Sequence, residues 1–282
     1  MNYYPTIIIH FILTFSIFFS SLSFANKNSS PSIQRILDRG KLIVAMYHKD
    51  SPPFYYVNEE KQLTGVDVEM IKGFARLLNV DVEFDRTPKS FNAVVDMIAN
   101  EEADVAICKL SITFNRLRRV LYTKPYIEMH QALLVNHLLL AKQLEGGVRE
   151  EVLRSLSGKI GVIGKSSYVK YAKRNFSNMD IVEYQSWNDV VDAVKTGKVV
   201  AAYRDEAEIK KIIRDNPDSA LNLLTVTLKD AADPKGIAVS KNSAHLKELL
   251  EFYIDSLNLN LTANKVLYDY DSIIKNIKRN TP

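Results

Sequence analysis

Polar side chains stand at several points in this chain where apolar runs stop. The apolar run at residues 105–108, in "DVAIC", is followed by Lys109, Ser111, Thr113 and Arg116. "KIGVIG" is followed by Ser166 and Ser167, and "VVAAYR" leads to Asp205. A guanidinium offers a planar fork of donors that matches a carboxylate. Hydroxyls and free N–H groups at a helix start suit the same anion. A carboxylate such as Asp205 accepts hydrogen bonds from an ammonium. Together these groups meet the needs of an α-carboxylate and an α-ammonium.

The elements that would position them alternate. "PSIQRILDRGKLIVAMY" reads as a short helix, a stop at Gly40, and a strand at residues 42–46. "VDVEMIKGFARLLN" follows, with Val68, Ile71, Phe74, Ala75 and Leu78 on one helical face. Strand "VDVEF", helix "FNAVVDMIANEEA" and strand "DVAIC" complete a strand–helix–strand–helix–strand run, which implies parallel pairing. The order returns as "KIGVIG", "SSYVKYAKRNF", "DIVEY", "WNDVVDAVKTG" and "VVAAY", closed by helix "DEAEIKKIIRDN". Little sequence identity joins the two runs, so the echo is structural. Two α/β lobes follow, with "ALLVNHLLLAK" and "TVTLKDAADPKGIAVS" passing between them. In open parallel sheets, ligands gather beyond the carboxyl ends of strands, which is where Arg116, Ser111, Ser167 and Asp205 would lie.

Composition narrows the function. The 282 residues are 46% hydrophobic and 25% charged, as in ordinary globular chains. A net charge of +4, with no basic stripe interleaved with aromatics, argues against a nucleic-acid partner. Residues 1–25 hold no Lys, Arg, Asp or Glu, and Ser23 and Ala25 stand like the small residues of a cleavage site. Residues 1–25 therefore read as a secretory signal cut between residues 25 and 26, with an uncleaved anchor as the alternative. Cys108 is the one cysteine, so no intramolecular disulfide can form. It reads as a small core residue.

Four segments, in order and at matching spacing, resemble the extracellular solute-binding proteins of polar amino acid ABC transporters. They are "GKLIVAMYHKDSPPFYYVNEEKQLTGVDVEMIKGFARLLNV", "SITFNRLRRVLYTKPY", "GKIGVIGKSSY" and "GKVVAAYRDE". The resemblance spans residues 32–275. It implies a two-lobed type II periplasmic binding protein fold, α/β, each lobe a mostly parallel sheet flanked by helices and joined by a hinge. Residues 32–129 and 234–282 would form the first lobe and 130–233 the second. Arg116 would grip an α-carboxylate with help from Ser111, and Ser166, Ser167 and nearby N–H groups would hold it from the opposite lobe. Asp205 would accept from the α-ammonium, and Phe54 and Phe91 would wall the side-chain pocket. An inner-membrane ABC permease would be the partner of a periplasmic monomer. Lys109, Lys165 and Ser51 depart from the family's usual small residue, glycine and aromatic lid, so the side-chain pocket is not set by the resemblance.

Plainer readings compete for the same residues. Arg118 and Arg119 suit a solvated face, and Asp205, Ser166 and Ser167 are good helix caps in their own right. "GKSS" fails as a phosphate loop, because Lys159 stands where the motif needs glycine. The histidines have no metal spacing, and His130 and His137, seven apart on an expected strand, would face opposite sides. No metal and no cofactor are expected. An enzymatic alternative also exists. A few proteins resembling this fold are exported cyclohexadienyl or arogenate dehydratases, for which Glu206 or Glu102 would have to be the acid. Lys109 favours an acidic ligand side chain, whereas His48 and Asp50 favour a basic or polar one.

Overall fold

A computed structural model describes residues 30–144 and 156–280. The expected signal segment, residues 1–25, lies outside them. Twelve strands are described: β1 (Lys41–Ala45), β2 (Tyr56–Val57), β3 (Leu63–Thr64), β4 (Asp81–Asp85), β5 (Val105–Ala106), β6 (Leu121–Tyr122), β7 (Ile127–Asn136), β8 (Gly158–Ile163), β9 (Met179–Tyr184), β10 (Ala201–Asp205), β11 (Leu223–Lys235) and β12 (Ala238–Val239). They form two five-stranded sheets, ordered β4-β1-β5-β12-β6 and β11-β7-β10-β8-β9, and a small β2–β3 hairpin. Each large sheet is the centre of one lobe.

The helices form where apolar residues recur at helical spacing. In Val66–Leu77, Val68, Ile71, Phe74 and Ala75 are buried, and Leu78 caps the end half-buried. Burying each of the larger side chains is worth roughly 1.5–3 kcal/mol. The entry to this helix depends on Gly65, whose φ is 123°, and a Cβ there would sit 2.2 Å from the Phe54 carbonyl oxygen. Only glycine suits both demands.

Both sheets are mostly parallel, as the sequence suggests, with one reversed strand in each, β12 in the first and β7 in the second. In the first, β1 runs parallel to β4 and β5, while β12 is antiparallel to β5 and β6. In the second, β8 runs parallel to β9 and β10, while β7 is antiparallel to β10 and β11. The reason is the route of the chain. It leaves the first lobe after β6 into β7 and returns through β11 into β12, so the first strand entered after each crossing, β7 or β12, runs against the rest of its sheet. The two crossings lie side by side, with the Thr123 N–H donating to the Ile237 carbonyl at 2.9 Å and the Tyr126 N–H to the Lys235 carbonyl at 3.0 Å.

The third strand of the first lobe is also shorter than its apolar run. Ile107 and Cys108 are buried beyond its end, and the backbone then turns left-handed at Lys109, with φ of 52°. That turn sends Ser111 to bridge with Lys235 on the crossing strand. His137 opens the helix His137–Leu144, so His130 and His137 do not share a strand.

Three helices follow β12. Ala244–Leu257 packs against Pro31–Arg39, and Tyr270–Arg279 against Val66–Leu77, both in the first lobe. Ala263–Tyr268, between them, packs instead on Glu206–Asp215 of the second lobe. There Arg214 Nη1 donates to the Leu267 carbonyl at 2.8 Å and Lys210 Nζ to Asn264 Oδ1 at 3.0 Å. No helix among the described residues is long and apolar enough to cross a membrane.

Candidate functional site

The segment after β5 carries Arg116 on a single helical turn, Phe114–Leu117, whose N-cap is Thr113. Thr113 Oγ1 accepts from the Arg116 N–H at 3.3 Å, so this hydroxyl shapes the turn. The Arg116 side chain folds back into the interlobe cleft and is only 6% exposed. Its Nη1 donates to the Ser111 carbonyl at 3.0 Å, and its Nη2 reaches Asn92 Oδ1 at 3.5 Å. Among the described residues no carboxylate stands at ion-pair distance from it.

The second lobe faces this guanidinium with a helix start. Ser166 caps Ser167–Asn175, its hydroxyl accepting from the Tyr168 N–H at 3.3 Å and donating to the Ile163 carbonyl at 2.6 Å. Ser167 Oγ donates across the cleft to Ser111 Oγ at 3.1 Å. Ser111 Oγ also accepts from Lys235 Nζ at 3.1 Å.

Asp205 ends β10 and caps Glu206–Asp215, accepting from the Glu208 N–H at 3.3 Å. The capping reading is thus realised, and the side chain lines the cleft as well. Lys109 reaches over from the first lobe, placing Nζ 2.5 Å from Glu208 Oε1 and 3.5 Å from Asp205 Oδ1. Arg204 lies 3.7 Å from Asp205 and 3.6 Å from Glu208. Ser51 Oγ donates to Glu208 from the first lobe. Burial opposes charge on Asp205, yet the Lys109, Lys235 and Arg204 charges hold its carboxyl well below the usual carboxylate range. Burial likewise opposes charge on Glu208, and the Arg204 and Lys109 charges keep it low. Lys235 pairs with Asp233, which also accepts from the Tyr168 hydroxyl. Burial, with the Asp233 charge beside it, pushes that phenol well above its ordinary value.

Of the residues singled out in the sequence, Arg116, Ser111, Ser166, Ser167, Asp205, Lys109 and Phe91 line one cleft between the lobes. Phe91 stacks on Tyr47 with ring centroids 4.5 Å apart. Phe54 is placed differently. It is 1% exposed and lies under Lys109, whose Nζ is 4.6 Å from its ring centroid, and it does not line the cleft. His48 and Asp50 do not line it either, and Asp50 pairs with Arg86 at 2.8 Å. Glu206 is held by Lys210 at 2.5 Å and by the His130 N–H at 3.0 Å, while Glu102 is exposed; neither lines the cleft.

Arg204, Lys235, Tyr168 and Glu208 were not singled out from sequence. Glu208 had a signal: it falls one turn after Asp205 on the same helix. Asp233 and Lys235 had another, since a spacing of two on a strand puts both on one face. Among the described residues no group of three or more His, Cys, Asp or Glu is arranged to hold a metal ion.

Comparison with known proteins follows the same lines. The family model for bacterial extracellular solute-binding proteins, family 3, matches residues 43–270. ABC transporter arginine-binding protein 1 of Escherichia coli (strain K12) is 22% identical over 222 residues, which cover 76% of this chain and 84% of that protein. The structure superposes on the amino acid ABC transporter substrate-binding protein AbpA of Streptococcus pneumoniae Canada MDR_19A, bound to L-arginine, with a TM-score of 0.66 and 25% identity, covering 88% of this chain and 99% of that one. It also superposes on the ancestral amino acid-binding protein AncCDT-1, a precursor of cyclohexadienyl dehydratase, with a TM-score of 0.68 and 19% identity, covering 89% and 99%. The last likeness speaks for the two-lobed fold alone.

Proposed function

We propose that this chain, which belongs to the bacterial extracellular solute-binding proteins, family 3, captures a free amino acid between its lobes and delivers it to an ABC permease. The observation that carries the reading is the Arg116 guanidinium, buried at the cleft with no carboxylate of the described chain to neutralise it. A buried charge without a counter-charge is costly, so the site calls for an anion. The ligand's α-carboxylate supplies it, with the Ser111 and Ser167 hydroxyls and the N–H groups at the Ser167–Asn175 start as further donors. Asp205 takes a share of the α-ammonium. The protein acts as an exported, monomeric carrier, and no catalytic step is required.

The test is ligand-induced thermal stabilisation of the purified protein. A ligand at about 100 times its Kd stabilises by about 2.7 kcal/mol, which raises Tm by roughly 5–10 °C for a chain of this size. Arg116→Ala should weaken binding by about 2–5 kcal/mol, or roughly 30- to several-thousand-fold, and cut that shift to about a third or less. Asp205→Asn should reduce it. An undiminished shift in Arg116→Ala overturns the reading.

A further inference from the structure

We propose that the cleft selects an amino acid of net negative charge, one whose side chain carries a second carboxylate. The inference rests on the amino-acid reading above and names the class of ligand within it.

The charges that meet at the cleft are unequal. Lys109, Arg116, Arg204 and Lys235 line the inner pocket, each 7% exposed or less, and Asp205 is the acid that lines it with them. Behind that lining, Glu208 and Asp233 serve Lys109, Arg204 and Lys235. Asp205 already stands beside Lys109 and Arg204. Every carboxylate of this set therefore has a cation of the chain beside it, while Arg116 has no carboxylate beside it among the described residues. A further buried carboxyl, Asp67, is turned to the Lys109 N–H and the Tyr126 hydroxyl and does not line the pocket.

An outer vestibule opens from the same guanidinium and repeats the imbalance. Arg116, Arg118, Arg119 and Lys170 line it together with Ser166 and Ser167, and among the described residues no Asp or Glu does. Arg119 pairs with Asp96 at 2.6 Å, and that pair is about half exposed. A ligand therefore approaches through a field of one sign and ends in a pocket of the same sign. A guanidinium or ammonium side chain would enter among four buried cations and meet, among the described residues, acids that each already stand beside a cation of the chain. A second carboxylate would find Lys109 and Lys235, whose existing partners are shared or lie behind them.

Isothermal titration of the purified protein with L-glutamate, L-aspartate, L-glutamine, L-asparagine and L-arginine decides the matter. Glutamate or aspartate should bind at least about 10-fold more tightly than its own amide and about 100-fold more tightly than arginine. Arg118→Gln combined with Lys170→Gln, both at the vestibule, should slow association of the acid and reduce its salt dependence. Lys109→Met should narrow the preference for acid over amide. If that variant does not fold, the wild-type comparison of acid with amide stands by itself. An amide that binds as tightly as its acid, or arginine binding most tightly, overturns the charge inference and leaves the amino-acid reading in place. If none of the five binds and Arg116→Ala responds to every amino acid as wild type does, the reading beneath it falls too.

Discussion

Lys109 and Asp67 show how one position can carry both structure and chemistry. Lys109 adopts a left-handed backbone, which side-chain-bearing residues avoid at a cost of about 1–2 kcal/mol. Asp67 holds it there, since Oδ2 accepts the Lys109 N–H at 3.0 Å and Oδ1 accepts from the Tyr126 hydroxyl at 3.0 Å. Burial pushes the Asp67 carboxyl up to about 7, against the pull of those hydrogen bonds. The sign follows from linkage. A carboxyl raised from ~3.9 in the unfolded chain contributes stability that is fully present below ~3.9 and is lost as pH rises through about 7. A carboxyl 13C NMR titration should therefore find Asp67 changing charge near neutrality, about three units above exposed aspartates. A midpoint below pH 5 would contradict burial as the dominant influence. Cys108, one residue before Lys109, is fully buried and its thiol is pushed up to about 12, as suits a packing residue.

At the level of elements, the positions past strand ends were readable and the positions beneath them were not. Arg116, Ser111, Ser166, Ser167 and Asp205 follow apolar runs, and in parallel pairing such runs end at a common edge. The sequence order alone therefore gathered them at one edge of each lobe, and the family resemblance set the two edges face to face. Phe54 misled because an aromatic near a cleft and an aromatic under its floor look alike in sequence. Lys235 was hidden because its place depends on the register of β11 against β7, which shifts between Leu228 and Ala232. Gly65 and Asp67, at the lead into Val66–Leu77, stand in the first of the segments that carry the family resemblance, yet their supporting role is not legible there. In three dimensions Gly65 lets the chain pass the Phe54 carbonyl, which accepts the Asp67 N–H at 2.9 Å. Gly65→Ala combines a disfavoured φ with overpacking against backbone and should cost about 2–5 kcal/mol. Urea denaturation reads this as a lower midpoint at unchanged slope. A change within 0.5 kcal/mol would show that the chain relaxes around the added methyl.

For the whole molecule, the lobes meet through the charged set of Lys109, Arg204, Asp205 and Glu208. Breaking a buried pair by removing one partner costs about 3–5 kcal/mol, so Lys109→Met should lower stability at pH 7 by that order. The pH dependence has a definite sign. Asp205 and Glu208 are depressed in the folded chain, so their contribution is fully present above the unfolded carboxylate values of ~4 and is lost as pH falls through the lower folded ones. The gap between Lys109→Met and wild type should therefore close as pH falls below ~4. Paired urea titrations across that range measure it, and a gap independent of pH would mean that Lys109 stabilises by packing on Phe54 and not by charge.

The place of β12 governs the order in which the chain can finish itself. This two-residue strand sits between β5 and β6, so the first sheet has a missing slat until residue 239 has left the ribosome. The second sheet needs nothing beyond residue 235. The lobe begun first is thus completed last, and during vectorial synthesis the later-made half can settle while the earlier one waits with two strand edges unzipped.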